Sequence, residues 1–268
     1  MTPLVTNSHR THATFRKVMG KKLIVWVTCI IAAVVILKGY SIGNFTLLIG
    51  TECPQVLSPN EALKFHIPLG SWAGFLVRSG KIRDNRDGKL VQNYNLEHPE
   101  ISDFSEHKQS TALVKIFGGK KGGTYFEVGA FDGEFFANSL MLEREYGWTG
   151  ILVEPVKPFF ESVIRKGRRA AILNSCVSST PQFEVIYVKT PENGTLHQQS
   201  MSAKDGTLPV GGSGLHNVPV ECYPLYDILV ACNSTKLDAL FLDVQGPEYD
   251  ILTTVPWEYV DIQLEKLN

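Results

Sequence analysis

Thr124-Tyr-Phe-Glu127-Val-Gly129-Ala-Phe-Asp132-Gly133-Glu-Phe-Phe136 decides how this chain is to be read. An apolar run of strand character enters a glycine turn, and a helical pattern follows near 135–146. Downstream, Gly150-Ile-Leu-Val-Glu154-Pro155 is a second strand that ends in a carboxylate. In a parallel sheet both segments open at the same end. The backbone turn at Gly129 and the acid at Glu154 then border one nucleotide-type pocket, with Glu154 placed to grip two ribose hydroxyls.

The chemistry of the turn selects the ligand. A dinucleotide fingerprint needs three glycines in the spacing G-x-G-x-x-G, and its pyrophosphate rests on bare amides. Here Gly129 and Gly133 stand with Asp132 and Glu134 where phosphates would sit. Carboxylates at the positive end of a helix suit its dipole but repel an anion. A ligand with cationic groups and a ribose fits better, and S-adenosylmethionine has both. On this reading Gly129 lets the backbone turn under the methionine part. Asp132 and Glu127 face the cationic groups, directly or through water, Gly133 allows close helix packing, and Glu154 takes the ribose. An ordinary strand–turn–helix with solvated acids would show the same residues, and Glu154 in register is what favours the pocket.

The alternation continues along the chain. A short helix is expected over Ser110 to Phe117, a helix near 157–167, and strands at 170–176, Phe183 to Lys189 and Val218 to Cys222. A helix near 224–231, a strand at 239–244, a helix at about 248–254 and a last strand from Val260 complete the pattern. Strands alternating with helices imply a doubly wound, mostly parallel α/β sheet with helices on both faces. Residues 190–217 are a long polar Gly/Ser-rich loop, of the kind that is functional or mobile. The histidines there, His197 and His216, carry no assignment. Leu240-Phe-Leu-Asp243-Val-Gln245-Gly-Pro-Glu248 is a strand running into a turn at the ligand end of the sheet, so Asp243 and Glu248 are candidate catalytic residues. A turn-capping carboxylate is the competing role for Asp243.

A net charge of −1 and the absence of a basic stripe argue against a nucleic-acid surface. The N-terminus carries a second signal. Leu23 to Leu37 is unbroken apolar sequence, preceded by Arg10, Arg16, Lys17, Lys21 and Lys22. As a helix it spans about 22 Å, short of the roughly 30 Å hydrocarbon core, but Lys38 can snorkel and Gly39 to Ile42 can extend it. The positive-inside rule keeps the tail cytosolic and sends the remainder across. A cleaved signal peptide competes, against which stand the long leading tail and the lack of an A-x-A-like exit. The expectation is a signal anchor over 23–43, a basic cytosolic tail over 1–22, a lumenal stem over 44–108 and the α/β domain over 109–268.

Asn44-Phe-Thr, Asn193-Gly-Thr and Asn233-Ser-Thr are glycosylation acceptors if lumenal. Cys29 lies in the apolar run. Cys53, Cys176, Cys222 and Cys232 allow three pairings, with Cys222–Cys232 favoured by proximity and buried free thiols as the alternative, particularly for Cys176.

The run Tyr125 to Pro155, with Leu173-Asn-Ser-Cys-Val177, Leu242-Asp-Val-Gln-Gly-Pro-Glu248 and Val255-Pro-Trp-Glu-Tyr-Val-Asp261, resembles the FkbM-type methyltransferase domain, and more closely the Star-like family of arthropod proteins. The resemblance covers about residues 109–262. It implies a Rossmann-like class I methyltransferase fold, here truncated at the C-terminus, since the family fold continues past the fifth strand and would leave an open sheet edge. The family pattern D-x-E-G-x-E has Glu where this chain has Gln245, which weakens acid–base catalysis.

The Star-like resemblance implies a single-pass membrane protein of the endoplasmic reticulum, Golgi, endosomes and plasma membrane. Such a protein helps membrane cargo such as growth-factor precursors to travel. The alternative is an active S-adenosylmethionine-dependent O-methyltransferase acting on a sugar or small hydroxyl compound. A membrane-anchored adhesion or structural domain that reuses the fold is a third.

Overall fold

The computed structural model describes residues 71–191, 215–244 and 246–262, together with the strands Ala33–Val35 and Ser202–Ala203. In chain order the elements are β1 (Ala33–Val35), α1 (Trp72–Ser79), β2 (Ile82–Asp84), α2 (Gln109–Ile116), β3 (Thr124–Val128), α3 (Leu140–Tyr146), β4 (Thr149–Val153), α4 (Lys157–Arg165) and β5 (Ala170–Leu173). There follow β6 (Cys176–Val177), β7 (Glu184–Pro191), β8 (Ser202–Ala203), β9 (Leu215–Tyr223), α5 (Leu225–Ala231), β10 (Lys236–Leu237), β11 (Ala239–Leu242), α6 (Glu248–Thr254) and β12 (Asp261–Ile262).

The main sheet has the order β1-β11-β3-β4-β5-β2. Its four central strands are parallel, and β1 and β2 flank them antiparallel. Alternate residues along each strand serve opposite faces. Phe126, Val128, Ile151, Val153, Leu240 and Leu242 pack with Leu76 of α1, Ile228 of α5 and Ile251 of α6. Tyr125, Leu152, Ile172 and Phe241 pack with Leu113 of α2, Leu142 of α3 and Val163 of α4. Every residue of β4 and β5 except Thr149 is buried, as a strand covered on both faces requires. The doubly wound α/β arrangement is therefore present, as a mixed sheet.

A smaller sheet, β6-β9-β7-β8, lies over the carboxyl end of the main one. Its inward residues Cys176, Val188, Val220 and Cys222 cluster with Val156 and Phe159, and Phe131 and Ile186 pack against them. The expected strand over 170–176 is thus two strands in two sheets, parted by Asn174 and Ser175.

Three further expectations change. The segment 44–108, expected as a stem with little periodicity, supplies α1 and β2, and β2 pairs with β5 in the register Ile82↔Leu173. Helix α1 has local ends, since the Ser71 hydroxyl accepts from Gly74 N and Gly80 closes it at φ +66°, and a long-range bond, Ala73 N to Asp227 of α5, adds to its N-terminus. The helix expected from 135 begins only at Leu140, because the turn that precedes it is held in another conformation by its own carboxylates. Within the apolar N-terminal run, Ala33–Val35 are a strand against β11, in the register Ala33↔Leu242, so the β11 edge is not bare. The rest of the expected transmembrane segment 23–43 lies outside the described residues. Among those that are described, no helix is long and apolar enough to cross a membrane.

Candidate functional site

The carboxyl ends of β11, β3, β4 and β5 meet at one mouth, where a doubly wound sheet gathers ligands. The turn 129–139 after β3 forms its centre. Gly129 has φ +84°, and a Cβ there would lie 2.2 Å from the Asp243 carbonyl oxygen. Only glycine lets the β3 and β11 turns come so close. Gly133 has φ +86°, and a Cβ there would lie 3.0 Å from Val163 Cα, so the turn seats directly on α4.

Each acid of the turn has a defined partner. Asp132 is buried and accepts Glu134 N at 2.9 Å and Phe135 N at 2.7 Å through Oδ1. Glu154 is buried, accepts Phe131 N through Oε2 and Val156 N through Oε1, both at 2.8 Å, and so ties the end of β4 to the turn after β3. Burial pushes the Glu154 carboxyl up to about 8; the two amides oppose the rise, and the neighbouring Asp132 charge adds to it. Asp132 and Glu154 are therefore brought together.

Glu127 is not brought to the ligand side. It was expected to face cationic groups, but its oxygens accept Asn138 N, Asn138 Nδ2, Ser139 N and the Ser139 hydroxyl. Four donors fill the acceptor capacity of a carboxylate. Strand alternation explains the correction, since Glu127 shares a face with Tyr125, under the helices, rather than the rim. Glu134 likewise faces inward. It accepts Glu97 N at 2.8 Å, His98 N at 2.7 Å and Lys166 Nζ at 2.5 Å, fastening the irregular segment before α2 to the turn. Burial alone would raise the Glu134 carboxyl; Lys166 and the two amides outweigh it and hold the group below the usual range.

On the β11 side, Asp243 is half-buried and its N–H bonds Val128 O at 3.2 Å. Glu248 Oε1 accepts Val244 N at 3.1 Å, and Oε2 accepts Gly246 N at 3.0 Å, so the carboxylate caps its own turn. Gln245 lies outside the described residues.

Residues that pattern reading passed over complete the mouth. Asn174 Nδ2 donates to the carbonyls of Glu154 at 2.8 Å and Pro155 at 3.0 Å. Arg168, fully buried, reaches Gly133 O at 2.7 Å and Ser139 Oγ at 2.6 Å. The sequence signal for Arg168 is the cation pair Arg168-Arg169 just before the apolar run of β5. Among the described residues, two buried side-chain oxygens, Asn138 Oδ1 and Ser175 Oγ, have no hydrogen-bond partner.

A comparison with protein families matches residues 127–264 to the methyltransferase FkbM domain. The chain belongs to the FkbM methyltransferase domain family. Comparisons with curated proteins and with solved structures returned no match. The FkbM match starts at Glu127, inside β3, so α1, β2 and α2 stand ahead of it.

FkbM domains are typically S-adenosylmethionine-dependent, and the donor set of this FkbM domain can be tested against that molecule. A buried carboxyl raised by desolvation and by a second acid gains from hydroxyl donors and from a nearby cation. A ribose diol at Glu154 and a cationic group by Asp132 supply both, so these two residues and the bare Gly129 backbone fit the group. Glu127 does not, because its oxygens are already filled.

The cysteines correct another expectation. Cys176 and Cys222 form a disulfide, not Cys222 and Cys232. Parallel pairing of β6 with β9 sets them opposite each other across 46 residues. Cys232 is a free, buried thiol, which burial pushes up to about 12.

Proposed function

We propose that this FkbM-family chain works in the secretory pathway as a lumenal or extracellular methyltransferase-like domain that assists the vesicular transport of membrane cargo, growth-factor precursors among them. One observation carries the reading: the Cys176–Cys222 disulfide, since such bonds persist in oxidising compartments and are rare in the cytosol. S-adenosylmethionine is made in the cytosol, so a lumenal enzyme would need it imported. The acids of the turns agree with a scaffold. Glu127 and Glu248 hold backbone amides, and a committed carboxylate is a poor proton acceptor. The exposed Asn233 in its sequon adds support for lumenal exposure. Attachment to the membrane is assigned to the apolar run 23–37. It requires Ala33–Val35 to leave β11, because residues in a membrane helix cannot pair with a lumenal strand.

The test is transport itself. Co-expression of the full chain with a membrane-tethered growth-factor precursor in cultured cells should raise the precursor's arrival at the cell surface, read by surface biotinylation. Arrival that is the same with and without the chain rejects the proposal.

The Asp132–Glu154 pair favours a second reading, an S-adenosylmethionine-dependent O-methyltransferase of a sugar or small hydroxyl compound. In it the cofactor supplies the methyl group, Glu154 binds the ribose and Asp132 faces the cationic part. Calorimetric titration of the full chain with S-adenosylmethionine separates the two readings. Binding that disappears in both Asp132→Ala and Glu154→Ala favours the enzyme, and no heat in any of the three chains leaves the scaffold.

A further inference from the structure

The turn 129–139 is costly to hold. Gly129, Phe131, Gly133 and Phe136 all have positive φ, at +84°, +50°, +86° and +59°. Glycine takes such angles freely, but a phenylalanine does not. Strained backbone persists only where its surroundings over-determine it. Buried acids account for part of the restraint: Asp132 and Glu154 grip amides of the turn, and Glu134 ties it to the segment before α2. From beneath, Glu127 holds the amides of Asn138 and Ser139, and one buried cation reaches both the middle and the far end of the turn.

Arg168 stands between α4 and β5 with no exposed surface. Its guanidinium donates in three directions. Nε reaches Glu143 Oε1 of α3 at 2.8 Å, Nη1 reaches the Gly133 carbonyl at 2.7 Å, and Nη2 reaches Ser139 Oγ at 2.6 Å. The Ser139 hydroxyl donates onward to Glu127, which in turn holds Asn138 N at 2.8 Å. Glu143 also accepts from Arg169 N at 2.9 Å and from the Tyr125 hydroxyl, so it has neutral donors besides Arg168. The contacts to Gly133 and Ser139 are different in kind. They fix the middle and the far end of the turn. A planar fork can serve all three acceptors at once, and a lysine ammonium on a flexible stem cannot hold the same geometry.

We infer that Arg168 is the positioning residue of the site, holding the Gly133 carbonyl and the Ser139 hydroxyl so that the Phe131 amide and the Asp132 carboxylate are presented beside Glu154. Arg168 does not touch the ligand position; it acts through the turn. Its consequence for ligand binding rests on the nucleoside reading above, whereas its effect on the turn does not.

The experiment compares the full chain with R168K and R168M by hydrogen–deuterium exchange read by mass spectrometry. Calorimetric titration with S-adenosylmethionine runs alongside. The amides of Phe131, Glu134, Phe135, Asn138 and Ser139 are bonded to carboxylates in the native turn. Exchange in peptides spanning 130–139 should rise at least tenfold in R168M and by less in R168K, while peptides covering 149–153 and 239–242 stay as in the parent. S-adenosylmethionine binding should weaken at least tenfold in R168M. Unchanged exchange over 130–139, or a rise of equal size in the strands, overturns the inference and leaves Arg168 a core ion-pair partner. If R168M does not fold, the R168K pattern decides by the same criterion. If the parent chain gives no binding heat, the nucleoside reading fails, and the exchange pattern alone judges Arg168.

Discussion

Glu154 Oε2 accepts the backbone N–H of Phe131 at 2.8 Å, so the acid that closes one strand grips the turn that leaves its neighbour. Because burial raises this carboxyl from 4.5 to about 8, the folded chain keeps a proton over that interval which the unfolded chain has released. The stability it confers is complete below about 4.5 and is lost as pH rises through 8, by a few kcal/mol. Glu154→Gln has nothing to titrate. Thermal unfolding of the full chain between pH 5 and pH 9 should therefore lose stability less steeply in the variant than in the parent. Parallel slopes would mean that Glu154 is ionised in the fold.

Gly129 and Asp243 form a second coupling, between β3 and β11. An alanine at 129 would meet the Asp243 carbonyl at 2.2 Å and would also have to hold φ +84°. Gly129→Ala is expected to cost roughly 3 kcal/mol, through both strain and displaced backbone. Gly147 supplies the control. It too has positive φ, +66°, but a Cβ there meets nothing within 4 Å. Gly147→Ala should cost only about 1 kcal/mol, the price of the left-handed backbone alone. Urea unfolding of both variants reads the difference, and equal midpoints would show that the close approach at Gly129 relaxes.

Those two couplings mark where the sequence could be read and where it could not. The central strands β3, β4, β5 and β11 are legible because each is a short apolar run between turn formers, and burial on both faces leaves nothing else for such a run to do. Strand β2 is not legible because three residues of strand have no pattern of their own. Ile82–Asp84 becomes a strand only by pairing with β5, about ninety residues on. The late start of α3 is a matter of competition. Side-chain carboxylates at 127, 132 and 154 offer the amides of 131–139 better partners than a first helical turn would. Asp132 and Glu154 were legible as a pair since strand ends in a parallel sheet align. Glu127 differs: its residue type matches the motif, while its place in the strand alternation points it under the helices. The disulfide was not legible from spacing, because a register between distant strands decides it.

The disulfide joins β6 to β9 and so clamps the smaller sheet over Val156 and Phe159. Closing a loop of 46 residues restricts the unfolded chain, and removing the bond is expected to cost about 2–4 kcal/mol. A Cys176→Ser, Cys222→Ser double variant should unfold at correspondingly lower denaturant than the oxidised parent. In the parent, Cys232 should resist alkylation until the chain unfolds, since it is fully buried and its thiol is raised to about 12. Alkylation of Cys232 under native conditions at the rate of a free peptide thiol would contradict the packing around α5.

Asn233 tests the compartment. It follows α5 with φ +51°, donates its N–H to Val230 O at 3.0 Å, and is exposed, whereas Ser234 beside it is buried and held by Arg86 and the Cys232 carbonyl. Asparagine is one of the few residues suited to a left-handed position after a helix, so replacing it disturbs the turn as well as the sequon. Thr235→Ala is the cleaner variant, because only the Thr235 carbonyl is asked to accept Asp261 N, at 3.0 Å. In a eukaryotic secretory host the full chain should migrate faster after peptide N-glycosidase treatment. Thr235→Ala should remove the increment of a single glycan while leaving the melting temperature within a few degrees. If the enzyme shifts neither chain, Asn233 does not meet the lumenal glycosylation machinery, and the secretory-pathway reading loses its support from this face of the domain.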